Sequence, residues 1–105
     1  MEVIKMDKIE GRTNKRGITA KKLHKNEDVQ IMNLVLSPGD EVPRHSVPVD
    51  VFFYVVSGRG TITIGDEEAE VEKNDIVPCP ENTGMALKAD KGEEFSVINV
   101  KTPSL

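Results

Sequence analysis

The chain has 105 residues, 37% hydrophobic and 30% charged, with a net charge of −4, one cysteine (Cys79), two histidines (His24, His45) and four aromatic residues. That length suits one domain, spanning residues 1–105, with a modest core; one cysteine excludes an internal disulfide framework and a four-cysteine zinc site, and two histidines leave little for a histidine-rich metal centre. No apolar run approaches the roughly 18 residues of a membrane span, and Met1-Glu2-Val3-Ile4-Lys5 lacks the apolar stretch of a secretion signal, so the expectation is a soluble, cytoplasmic protein with no membrane partner.

The first segment, residues 1–25, holds eight basic side chains against three acidic ones, whereas the other 80 residues hold six bases and fifteen acids. A basic arm can bind nucleic acid. Here no aromatic residue stands among the bases to stack on a single-stranded base, and acids are interleaved with them. The segment is read as solvated edge strands with no nucleic-acid partner, and residues 18–23 are its strand candidate.

Residues 29–36 (VQIMNLVL) form an aliphatic strand closed by Ser37-Pro38-Gly39-Asp40, where proline presets the first central φ of a type II turn and glycine supplies the positive one. Residues 51–56 (VFFYVV) form a continuous apolar strand, expected to be buried on both faces. Thr61-Ile62-Thr63-Ile64 and Ala69-Glu70-Val71-Glu72 alternate polar with apolar around Gly65-Asp66-Glu67-Glu68, which predicts a hairpin with its apolar side inward. Lys73-Asn74-Asp75 turns the chain into Ile76-Val77, and Pro78-Cys79-Pro80 ends that strand or confines it to an edge. Residues 85–88 and 95–100 add two strands across the Ala89-Asp90-Lys91-Gly92 turn. No segment shows sustained helical spacing. Eight to ten short strands at regular spacing predict an all-β antiparallel sandwich or barrel with little or no helix.

Several spacings stand out between residues 38 and 89. Gly39 is followed by five residues and then His45, with Pro43 two residues before the histidine, and six residues separate Val51 from Gly58 at the end of Tyr54-Val55-Val56-Ser57-Gly58. Asn74, Pro80, Asn82, Met85 and Ala89 form a second spaced set. The two sets resemble the two motifs of the cupin superfamily, which implies a jelly-roll barrel, or double-stranded β-helix. Metal-dependent cupins hold their ion with two histidines and a glutamate from the first motif and a histidine from the second. Those four positions read His45, Val47, Val51 and Met85 here. A first-row divalent ion needs imidazole or carboxylate donors, and valine offers neither. No metal or other cofactor is therefore expected.

The resemblance, with period-two alternation through the aligned positions, places His45, Val47, Val51, Phe53, Val55, Met85 and Leu87 on the barrel interior. Such a lining is mostly apolar with one polar group, the usual make-up of a small-ligand pocket; the alternative is a barrel filled by its own side chains. His45 is the one candidate catalytic residue, as an acid/base or polar anchor, set against a structural histidine hydrogen-bonded at the barrel mouth. A soft-metal set of His45, Cys79 and Met85 is a further alternative, although its spacing matches no ligand signature. Asp50, beside the position of the family's glutamate, is expected to face outward because adjacent strand residues point to opposite faces. Apolar residues fall on both faces of 29–36 and 51–56, which predicts a homodimer. Two function classes stay open: a metal-free cupin that binds a small organic ligand, and an enzyme using His45 or a non-standard metal site.

Overall fold

The β-branched and aliphatic runs pair, in the computed structural model that describes residues 1–105, into ten strands. They are β1 (Arg12–Thr13), β2 (Thr19–Lys25), β3 (Gln30–Leu36), β4 (Glu41–His45), β5 (Asp50–Ser57), β6 (Arg59–Ile64), β7 (Glu67–Glu72), β8 (Ile76–Cys79), β9 (Met85–Ala89) and β10 (Phe95–Thr102). Every pairing is antiparallel, and the strands form a six-stranded sheet in the order β1-β2-β3-β10-β5-β8 and a four-stranded sheet in the order β4-β9-β6-β7. The one helical element is a three-residue 3-10 turn at Met6–Lys8. No helix is long and apolar enough to cross a membrane.

Local chemistry sets the turns. Asp40 N–H donates to Ser37 carbonyl at 3.0 Å with Gly39 at φ 80°, the hydrogen bond and positive angle of a type II turn. Between β6 and β7 Gly65 takes φ 60° and Ile64 pairs directly with Glu67, so the loop is two residues rather than the expected four. Glu67 and Glu68 join the strand because a glycine at the first loop position closes the turn at once. Strands β4 and β8 each carry a proline, and both are edge strands, where the missing N–H leaves no ladder bond unmade. The sequence EVPRH of β4 has too few apolar residues to announce a strand, which is why it escapes a reading by pattern.

Alternation divides β5 in a way its composition conceals. Val51, Phe53 and Val55 are buried between the sheets, whereas Phe52, Tyr54 and Val56 face outward, and Phe52 stays 39% exposed. The run is thus buried on one face and not both. The core joins Leu36, Val55, Phe95 and Val97 to Ile62, Leu87 and Ala89 across the two sheets. On the outer side, buried Asn33 donates through Nδ2 to Ser96 Oγ and to the Val97 carbonyl, each at 3.0 Å. The N-terminal segment crosses that outer side over β2: Lys21 Nζ donates to the Met6 carbonyl at 3.4 Å, and Glu2 lies 3.9 Å from His24.

Gly60 lies directly against the Phe95 ring of the facing sheet. A Cβ there would lie 2.6 Å from the Phe95 ring and 2.5 Å from the Lys88 carbonyl oxygen, whereas a Cβ on Gly92 meets nothing within 4 Å. Gly60→Ala should therefore cost about 1–3 kcal/mol by overpacking, while Gly92→Ala should stay within about 0.5 kcal/mol of the wild type. Urea denaturation of the two variants measures both.

Candidate functional site

One end of the barrel gathers the residues of interest. On the six-stranded sheet, Gln30, Lys101, Val51 and Cys79 face one another in successive pairings. On the four-stranded sheet, Met85 pairs with both His45 and Ile64. Two loops close this end and are tied together: Asn82 N–H donates to Val47 carbonyl at 2.8 Å, and Glu81 N–H to Asp50 Oδ1 at 3.0 Å. Asp50 is exposed, so its carboxylate serves the loop and not the interior.

His45 reaches the barrel end through a bulge. Val42 pairs with Leu87 and His45 with Met85, so Pro43 and Arg44 together oppose Ala86 alone. The extra residue keeps both Val42 and His45 on the interior register, since directly paired residues share a face. His45 nevertheless remains exposed. Its Nδ1 lies 3.0 Å from the Pro43 carbonyl, which can only accept, so Nδ1 carries a proton and Nε2 offers a lone pair in the neutral ring. Arg44 takes the other face, where its Nη1 donates to the Gly65 carbonyl at 2.8 Å.

The other residues aligned with the family's interior positions lie deeper. Val51, Phe53, Val55, Met85 and Leu87 are all within the buried core, and Val47 packs against it while partly exposed. Phe53, Val55 and Leu87 are buried between the sheets, and His45 and Val47 lie at the barrel end. Cys79 is 2% exposed, and its thiol lies 3.6 Å from the Pro80 carbonyl and 3.7 Å from that of Thr83. Burial, and secondarily the negative charge of Asp50, push that thiol's pKa up, which disfavours the thiolate that a metal requires.

No three His, Cys, Asp or Glu side chains gather anywhere to hold a metal ion. The positions where metal cupins place their ligands supply one imidazole, two isopropyl groups and a thioether in His45, Val47, Val51 and Met85. This set does not fit a first-row divalent ion. Attention to the two motifs alone misses Asn99 and Lys101 on β10. Alternation from buried Phe95 and Val97 carries both onto the interior face, where they pair with Phe53 and Val51.

Comparison with known proteins places this geometry. The family profile of the cupin domain matches residues 32–101, two thirds of the chain. The protein belongs to the cupin family. This cupin is 30% identical over 83 residues to an uncharacterised protein of Methanocaldococcus jannaschii, covering 78% of the present chain and 72% of that relative. The crystal structure of that archaeal protein, described as an RmlC-like cupin with a double-stranded β-helix fold, superposes with a TM-score of 0.79 at 24% identity, covering 98% of this chain and 91% of the other. KdgF from Halomonas sp. superposes with a TM-score of 0.91 at 19% identity over 99% of this chain and 96% of its own. An RmlC-like cupin from Shewanella frigidimarina gives 0.88 at 15% identity over 99% and 93%. At such identities these likenesses establish the jelly-roll fold.

The raised thiol pKa has a signed consequence. Below the ordinary thiol value of 9.0 both folded and unfolded states keep the proton; above it the unfolded thiol ionises first. The stability margin of wild type over Cys79→Ala should therefore shrink as pH rises above 9.0, and native Cys79 should resist Ellman's reagent at pH 8 until denaturant is added. Urea titrations at several pH values, with thiol counting, check both.

Proposed function

We propose that this cupin binds a small organic ligand at the barrel end marked by His45, without a resident metal. The observation that carries this reading is the imidazole itself. It is the one polar side chain among the four aligned pocket positions, it is exposed, and its Nε2 has no protein partner while Nδ1 is held by Pro43. Met85 stands opposite it on β9, Val47 and Val51 are the other aligned positions, and one directional polar group among apolar ones is the composition of a ligand-orienting site. The same locked tautomer supports the enzymatic alternative, in which Nε2 accepts a proton from bound substrate. Loss of turnover with unchanged affinity in His45→Ala would favour that alternative.

A homodimer accompanies the reading. The outer face of the six-stranded sheet carries Phe52, Tyr54 and Val56 on β5, Ile98 and Val100 on β10, and Ile76 on β8, with Phe52 39% and Ile76 61% exposed. An apolar sheet face of this kind favours a partner surface, and closed two-fold symmetry lets the same face cover itself.

Two measurements test these statements. Elemental analysis of untagged protein should find each first-row metal well below one ion per chain, and a thermal-shift screen of small acids, amides and sugars should yield ligands whose affinity falls about tenfold in His45→Ala, the worth of one hydrogen bond. Stoichiometric metal lost on His45→Ala would overturn the metal-free reading. Light scattering should give a dimer, and Phe52→Lys with Ile76→Lys should give folded monomer, because both side chains lie outside the core.

A further inference from the structure

The interior wall of the six-stranded sheet carries polar groups that neither cupin motif contains. Successive pairings put Lys22, Met32, Asn99, Phe53 and Val77 in one row across the sheet. The next row, nearer the strand ends, holds Gln30, Lys101, Val51 and Cys79. Residues paired in this way share a face, and Phe53 and Val51 fix that face as the buried one.

Asn99 is only 7% exposed, yet its Oδ1 has no hydrogen-bond partner. Buried amide oxygens are normally paired, so this one calls for a donor from outside the chain. Lys101 lies two residues along on the same face and is partly buried, and no carboxylate comes within ion-pairing distance of it. Burial holds its ammonium pKa below the usual lysine value. Beside Met32 a cleft of about 400 Å³ opens, lined by Glu10, Arg12, Ala20, Lys22 and Met32. Arg12 pairs with Ala20 and Lys22 with Met32, so both cations stand on the interior side. Neither forms an ion pair.

We infer that the ligand of this cupin is a small hydroxycarboxylate, its carboxylate drawn to Lys101 and Lys22, and its hydroxyl donating to Asn99 Oδ1. The inference rests on the ligand-binding reading and adds the chemical class. An anion supplies the counter-charge that Lys101 and Lys22 lack. The hydroxyl supplies the donor that Asn99 lacks. Charge-assisted hydrogen bonds of this kind are stronger than neutral ones, so the carboxylate should dominate affinity and the hydroxyl should refine it. Lys101 is a partly desolvated ammonium with no counter-ion from the chain.

The test uses lactate and mandelate, their neutral amides, and propionate and phenylacetate, which lack the hydroxyl, in calorimetric titrations of the wild-type protein. The hydroxyacids should bind about tenfold more tightly than their amides, and several-fold more tightly than the acids without hydroxyl. Lys101→Met should remove the preference for acid over amide, and its ligand-free melting temperature should not fall, because a partly desolvated, unpaired charge is deleted. Asn99→Leu should remove the preference for the hydroxyl alone. Amides that bind as tightly as acids would overturn the hydroxycarboxylate while leaving the ligand-binding site in place. Retention of acid preference in Lys101→Met would overturn the assigned anchor. Failure of all six compounds to bind at about 10 mM overturns this proposal; if the broader thermal-shift screen still yields ligands, the binding reading survives it.

Discussion

Strand β10 lies between β3 and β5 at the centre of the larger sheet, and its alternation fixes the interior of the molecule. Phe95 and Val97 go inward because burying each removes an aromatic or branched side chain from water, worth roughly 1.5–3 kcal/mol apiece. They pack beside Val55 of the same sheet and against Ile62 and Leu87 of the facing one. Once those two side chains are committed, the pleat leaves no choice for the residues that follow. Asn99 and Lys101 must face the same way, although neither gains from burial. The polar character of the barrel end is thus imposed by the apolar register of its middle.

The four-stranded sheet uses a different device. Edge strand β4 contains a proline and a bulge, and the single extra residue returns His45 to the interior register opposite Met85. Without the bulge, three residues on from Val42 the side chain would face outward. Arg44 takes that outward position and ties β4 to the turn between β6 and β7 through the Gly65 carbonyl. Below this end Phe53, Val55 and Leu87 are buried between the sheets. Of the family's four ligand positions, His45 alone keeps a metal donor, with Val47, Val51 and Met85 in the other three.

Much of the fold was legible along the chain. The turn at Pro38-Gly39, the hairpin at Gly65-Asp66 and the edge character of Pro78 follow from backbone preferences of proline and glycine, which act locally and are read locally. The spacing from Gly39 to His45 and from Val51 to Gly58 carried the family. Strand β4 was not legible, because Glu41, Arg44 and Pro43 carry no strand pattern and their pairing is supplied by β9. The VFFYVV run misled for a related reason: composition reports how apolar a strand is, while the number of layers packed on it decides how many of its faces are buried.

The sequence by itself determined an antiparallel all-β barrel of the cupin kind and the loss of three of the family's four metal donors, since turn chemistry, alternation and side-chain identity are properties of the chain alone. Only the tertiary structure decided that Phe53, Val55 and Leu87 are buried between the sheets, that His45 is exposed with Nδ1 held by Pro43, and that Lys22, Asn99 and Lys101 share the interior wall. Those facts depend on which strands become neighbours and in what register. β2, β3, β10 and β5 are far apart in the chain and adjacent in the sheet, so their polar residues converge only once the ladder hydrogen bonds and the core have set the pairing.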